Sequence, residues 1–273
     1  MSDETGAPKS DAYRCYEQAD EHAFPDERLH RIIDAIAADE EIQALLQVQN
    51  VNPVTRLGYN DHGPKHIEIV TDRALCLYDL LKRGDVTFRG AGDQGLSEAD
   101  EPVIIALAAT LHDVGNLVHR YRHAEWSISL AADVLDRFLE PFYDIPERCK
   151  MKAEILHAIV CHHAEQSPLT EEAGVMRIAD GLDMEHGRSR QPYERGGRGI
   201  NTVSSQAIKR VNLYEGQSAP VRVEIEMTNA AGVYQVDSLL KAKLEGSGLE
   251  EEVRIVAVNV GQSGDRIVER LEL

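Results

Sequence analysis

Residues 106–116 read ALAATLHDVGN. The stretch closes an apolar run, Val103 to Leu111, with a histidine and an aspartate side by side. A helix that is apolar on every side belongs in a protein interior, yet His112 and Asp113 are both metal-ligating residue types. Upstream, Ser97-Glu98-Ala99-Asp100 has the pattern of a capping box, and Pro102 sits early in the helix, where its missing N–H does little harm. Gly115 reads as the C-cap. The doublet then falls in the last turn, at the negative end of the helix dipole, where a bound cation is favoured. Neighbouring helical residues diverge by about 100°, but at a frayed end both side chains can turn toward one ion.

Four other segments offer partners for the doublet. In DHGPKHIEIVTDRALCLYDLLKRG, Pro64 suits the first helical position and His66 lies beside the buried stripe Ile67, Val70, Ala74, Leu77 and Leu81. In HRYRHAEWSISLAADVL, His119 and His123 precede or open a helix. In ILHAIVCHHAE, His162 and His163 end an apolar helical face, and in GVMRIADGLDMEHG, Asp180 borders the stripe Val175, Ile178, Ala179 and Leu182. Each residue alone reads as an ordinary core or surface group, and His22, His30, His157 and His186 keep that reading. Together they place His or Asp at the border of several apolar faces, which is how helical bundles build metal centres. A structural zinc site is disfavoured, because no cysteine sits in a short paired spacing.

Around this centre the chain divides by periodicity. DERLHRIIDAIAADEEIQALLQV has helical spacing, and the pattern stays helical from residue 60 to about 186. After residue 200, PVRVEIEM alternates as a half-buried strand, a helix follows over Val236 to Leu244 and ends at Gly246 and Gly248, and VRIVAVNV and RIVERLEL read as further strands. The expected architecture is mainly α: a loose tail at 1–12, a helical domain at 13–199 and a small α+β domain at 200–273. Nine of the 11 histidines lie between His62 and His186, and none follows His186, so the chemistry is expected in the helical domain.

Composition narrows the partners. Against 47 acidic residues stand 29 basic ones, only eight of them lysine, for a net charge of -18. Such a surface repels a phosphate backbone, so no nucleic-acid duplex is expected to bind. The acid-rich, lysine-poor balance also resembles that of proteins adapted to high salt. No apolar run is long enough to span a bilayer, and MSDETGAPKSD lacks the features of a signal peptide. Cys15, Cys76, Cys149 and Cys161 form no C-x-x-C pair and read as reduced thiols. A cytoplasmic protein without membrane partners is expected.

The order His66, then His112-Asp113, then Asp180 resembles the H…HD…D signature of the HD-domain metal-dependent phosphohydrolases. HIEIVTDRAL, ALAATLHDVGN and VMRIADGLDM supply the three matching contexts, over roughly residues 50–190. The resemblance implies an HD-type helical bundle in which His66, His112, Asp113 and Asp180 bind a first metal. It also implies that a second ion, where present, uses His123 and His162, with His163 and then His119 as the next candidates, and that Asp113 bridges the two. Mixed imidazole and carboxylate ligands suit Mn, Fe, Co, Ni or Zn alike. Such ions activate water and polarise a phosphoryl oxygen, with His112 and Asp113 at the catalytic centre; His119 and His62 are weak candidates for the general acid. The Gly-Tyr-Pro signature of cyclic di-GMP-specific members is absent after His163, where HHAEQSPLT stands.

A phosphate substrate needs cations nearby, and MEHGRSRQPYERGGRG carries Arg188, Arg190, Arg195 and Arg198 soon after Asp180. Lys65, Arg120 and Arg122 flank other candidate ligands. The sequence therefore points to a hydrolase acting on a small phosphate ester, with a nucleotide as the leading class. Within that reading, HDVG…HAE loosely resembles the pattern of dNTP triphosphohydrolases. The competing readings are a non-catalytic nucleotide- or metal-binding signalling module and a scaffold with core histidines. The C-terminal unit has no histidine, cysteine or phosphate-loop pattern, and its expected role is homodimerisation or covering the site.

Overall fold

The computed structural model describes residues 27–163, 165–185, 200–261 and 270–272. The tail at 1–12 lies outside these residues, as do Arg188, Arg190, Arg195 and Arg198.

The first two helices, α1 (Glu27–Ala38) and α2 (Glu40–Val48), bury Leu29, Ile32, Ile36, Ile42 and Leu46. Asp39 divides them, because its carboxylate accepts the Ile42 N–H at 2.9 Å and so caps α2. Helix α3 (Pro64–Arg83) starts with Pro64 in its first turn and buries the whole stripe read from the sequence, Ile67 to Leu81. The capping box at Ser97 and Asp100 is present, around a 3-10 turn at Glu98–Asp100. Helix α4 (Glu101–Leu111) follows, and every one of its residues is buried. It packs against α1 and α3, and against α6 (Glu147–Cys161) and α7 (Glu171–Leu182) on its other sides. Each fully buried Val, Ile or Leu on this helix contributes about 1.5–3 kcal/mol. α4 is thus the central post of the bundle.

Gly115 has a different reason from the one read in the sequence. The helix already ends at Leu111, with His112 in the cap position, and a 3-10 turn at Val114–Leu117 leads toward α5 (His123–Phe138). Helix α5 comes so close that a Cβ on Gly115 would stand 1.9 Å from the His123 carbonyl and 2.5 Å from the Ser127 nitrogen. The Gly115 N–H donates to Ser127 Oγ at 2.8 Å, and the Ser127 hydroxyl donates to the His112 carbonyl at 2.6 Å. Close approach, not a left-handed cap, requires the glycine.

After α8 (Ile200–Ser205) the chain forms a four-stranded sheet in the order β1-β2-β3-β4. Strands β1 (Ile208–Glu215) and β2 (Val221–Met227) pair antiparallel, β2 and β3 (Val253–Asn259) pair parallel, and β3 and β4 (Arg270–Glu272) pair antiparallel. Strand β1 was not read from the sequence. A register shift between Ile208 and Arg210 breaks its alternation, so Ile208, Val211 and Leu213 do not follow period two from end to end. Between β2 and β3 a π-helical turn, Gln235–Leu240, runs into a short helix α9 (Lys241–Leu244). Gly246 and Gly248 then take the left-handed conformation (φ 80° and 79°), which suits them to end the helix as the sequence indicated.

The inner sheet face, including Val221, Val223, Ile225, Met227 and Ile255, joins the same buried apolar cluster as the helices. Helix α3 touches β1 and β2, and its buried Arg73 donates to the Val211 carbonyl at 3.0 Å. Among the described residues no helix is long and apolar enough to cross a membrane.

Candidate metal centre

Five helix ends meet at one point. The first turn of α3 brings His66, the end of α4 brings His112 and Asp113, the start of α5 brings His123, and the ends of α6 and α7 bring His162 and Asp180. His66, His112, Asp113, His123 and His162 are buried, and the Asp180 side chain is only 13% exposed.

The histidine tautomers are fixed by their outer nitrogens. Nδ1–H of His112 donates to the Ala109 carbonyl at 2.8 Å, that of His162 to the Ile159 carbonyl at 2.6 Å, and that of His123 to the Arg120 carbonyl at 3.1 Å. His66 Nδ1 faces Asp183 Oδ2 at 2.6 Å. Carbonyls and carboxylates can only accept, so the protons sit on Nδ1 and the Nε2 lone pairs point inward. The Nε2 atoms of His66 and His112 then lie 3.3 Å apart, and those of His123 and His162 3.1 Å apart. Two lone pairs face to face repel unless a cation lies near both.

Asp113 stands between these pairs. Its Oδ2 is 3.5 Å from His66 Nε2 and 3.6 Å from His112 Nε2, while Oδ1 is 3.2 Å from His123 Nε2. Oδ2 is buried with no hydrogen-bond partner among the described residues, an arrangement that costs about 1–3 kcal/mol or more if left uncompensated. Asp180 Oδ1 is 3.3 Å from His66 Nε2 and 3.8 Å from His112 Nε2. Among the described residues three overlapping groups could hold an ion: His66, His112 and Asp113; His112, His162 and Asp180; and Asp113, His123 and His162.

Electrostatics prepares the same atoms. Burial pushes the His112 imidazole below its ordinary pKa and pushes His162 well below, helped there by the neighbouring His112 and His123. Burial alone would raise Asp113 and Asp180, but the surrounding imidazoles, and Lys243 beside Asp180, outweigh it and hold both carboxyls well below the usual range. Neutral imidazoles and ionised carboxylates are the forms that bind metal.

The cluster opens into a cavity of about 860 Å³ whose wall includes His62, His119, Arg120, Arg122, His163 and Lys243. His163 is exposed, with its ring 5.5 Å from that of His123, and contributes no atom to the three groups above. His119 is an exposed wall residue whose Nδ1 accepts the Tyr121 N–H at 2.9 Å. His62 is buried, with its ring 5.5 Å from that of His66. Arg120 Nη1 lies 3.1 Å from both ring nitrogens of His123. Arg122 pairs with Glu125 and holds a left-handed backbone (φ 58°), a conformation that costs a non-glycine residue about 1–2 kcal/mol. Lys65 is outside the wall, exposed and paired with Glu68 at 2.8 Å.

Two residues escaped the sequence reading. Asp183, just past α7, is buried and orients His66; its spacing three residues after Asp180 was a signal available in the sequence. Lys243 donates to Asp180 Oδ2 at 2.5 Å, and nothing local to α9 announces that contact.

Comparison with known proteins agrees with this geometry. A family model described as HD domain matches residues 87–185, a window that holds every residue of the cluster except His66. The uncharacterized protein MJ1020 of Methanocaldococcus jannaschii is 37% identical over 226 residues, which is 83% of this chain and 87% of that protein. No solved structure matches. With the histidine–aspartate cluster inside the matched window and the relative aligned over most of both lengths, the chain belongs to the HD-domain superfamily.

Proposed function

We propose that this chain is a metal-dependent phosphohydrolase acting on a phosphate ester of a small molecule, with a nucleotide as the leading substrate class. The observation that carries the reading is Asp113: its two carboxylate oxygens face different histidine pairs, and the inner one has no hydrogen-bond partner among the described residues.

His66, His112, Asp113 and Asp180 would hold one ion, and His123 and His162 a second, with Asp113 shared. The donor set fits Mn, Fe, Co, Ni or Zn. When bound, such ions supply an activated water and a Lewis acid for phosphoryl oxygens. The protein's own part is orientation. Asp183 and three backbone carbonyls fix the imidazoles, so no tautomer change is needed when substrate arrives. Arg120 and Arg122 on the cavity wall are the described arginines placed to meet phosphate oxygens, and Arg188, Arg190, Arg195 and Arg198 remain candidates in the segment that follows. The volume of about 860 Å³ lies within the range of small-molecule sites.

The test is elemental analysis of the purified protein beside Asp113→Ala, with phosphate release from a nucleotide panel measured on both. One or two transition-metal ions per chain, lost together with phosphate release in the variant, support the reading. Metal content untouched by the substitution refutes it. Metal and nucleotide binding without turnover would instead identify a signalling module.

A further inference from the structure

The helix that carries Asp180 also carries the docking surface for the C-terminal unit. Gly174, Arg177 and Gly181 follow i, i+3, i+7 spacing on α7, so they share one face. A Cβ on Gly174 would stand 2.4 Å from the Ser247 carbonyl, and one on Gly181 would stand 2.8 Å from Lys243 Cδ. The glycines therefore let the segment around α9 lie directly against α7. Arg177 is buried between them and donates to the carbonyls of Ala242 (3.1 Å), Lys243 (3.1 Å) and Glu245 (3.2 Å), as well as Gln166 (2.9 Å). Two of these lie in the last turn of α9 and Glu245 caps it, where carbonyls lack helical partners. Arg177 thus fixes the backbone of Lys243 one turn before Asp180.

From that anchored backbone, Lys243 Nζ donates to Asp180 Oδ2 at 2.5 Å and to the His162 carbonyl at 3.0 Å. The two oxygens of Asp180 are therefore divided, Oδ1 toward His66 and His112, and Oδ2 toward the lysine. One ammonium ties together the ends of α6 and α7, each of which supplies a candidate ligand.

We propose that Lys243 is a positioning residue of the metal centre, supplied by the C-terminal unit, which holds Asp180 to coordination through Oδ1 alone and pins His162 beside it. The proposal rests on the metal-dependent reading above. A lone ammonium would repel a nearby ion, but here the Asp180 carboxylate lies between them, so removing the lysine releases a ligand more than it relieves repulsion. The C-terminal unit then completes the centre, and displacing it from α7 would loosen two ligands together.

The experiment compares wild type, Lys243→Met and Lys243→Arg in the full chain, using Zn²⁺ affinity by chelator competition and the visible spectrum of the Co²⁺-loaded protein. Urea unfolding of each variant confirms that it folds. Lys243→Met is expected to bind Zn²⁺ about 10–100-fold more weakly, and its Co²⁺ absorption is expected to fall as Asp180 turns two-oxygen and the coordination number rises. Lys243→Arg is expected to recover most of both. Unchanged or tighter Zn²⁺ binding by a folded Lys243→Met, or an unchanged Co²⁺ spectrum, overturns the proposal. A wild-type chain that binds neither ion overturns the metal-dependent reading beneath it.

Discussion

Replacing Asp183 tests whether the histidine tautomers are set from outside the cluster. The His66 ring is fully buried and the Asp183 side chain is 4% exposed, and the two meet at 2.6 Å. A charge-assisted contact in so dry a place is about twice as strong as a neutral one, and it keeps the proton on Nδ1. In Asp183→Ala the ring can rotate or move its proton to Nε2, the atom that faces His112, Asp113 and Asp180. Losing such a partner lowers metal affinity about 10–100-fold, equivalent to roughly 1.4–2.7 kcal/mol. Asp183→Asn is expected to do at least as much harm, because its amide can donate to Nδ1 and so lock the wrong tautomer, although the shape is kept. The assay is Zn²⁺ competition against a chromophoric chelator at neutral pH, with circular dichroism to confirm the fold. Full affinity in Asp183→Asn would refute the tautomer argument, and full affinity in both variants would remove His66 from the ligand set.

Two further outcomes follow from the scaffold. Gly115→Ala is expected to cost at least about 1–3 kcal/mol, since its Cβ meets backbone and not a movable side-chain tip; an unchanged urea midpoint would show that α5 can retreat at no cost. Asp100 accepts from Tyr143 at 2.8 Å and from Ser97 at 2.7 Å, and pairs with Arg28. Burial pushes this carboxyl up, but those donors outweigh it and leave it below its ordinary value of 3.8. The unfolded chain therefore takes up the proton first, so the stabilisation is full above 3.8 and is lost as the pH falls through the lowered native value. Asp100→Asn should be less stable than wild type by about 1–3 kcal/mol at pH 7, with the gap closing only as the pH falls below 3.8; a gap that stays constant would contradict the assignment.

The residues that could be read from the sequence were those whose role is local. An apolar run with no polar side, Val103 to Leu111, has only one place to go, and α4 is accordingly the buried centre of the bundle. Pro64 fixed the start of α3 and with it the inward position of His66. The metal-ligating types at helix ends converged as their order suggested, with His163 and His119 left on the cavity wall. What escaped depends on tertiary approach. Gly115 looked like a cap because a neighbouring helix leaves no trace in a local pattern. Strand β1 was hidden by a bulge, which shifts side chains from one face to the other. Lys243 lies 63 residues beyond Asp180 in the sequence, and only the tertiary approach of α9 to α7 brings them together.

That topology has a mechanical side. A strand reaches an antiparallel neighbour through a tight turn, but a parallel neighbour demands a return journey along the sheet. Strands β2 and β3 are parallel, so the chain from Thr228 to Glu252 is an obligatory excursion, and α9 lies on it. The pairing of Val221 with Val253 through Met227 with Asn259 acts as a ruler for where that excursion ends. A two-residue slip keeps every side chain on its own face yet displaces β3 by about 6.6 Å, more than twice the 2.5 Å span from Lys243 to Asp180. The register of a distant strand pair and the anchoring of α9 on α7 must therefore agree for Lys243 to reach Asp180.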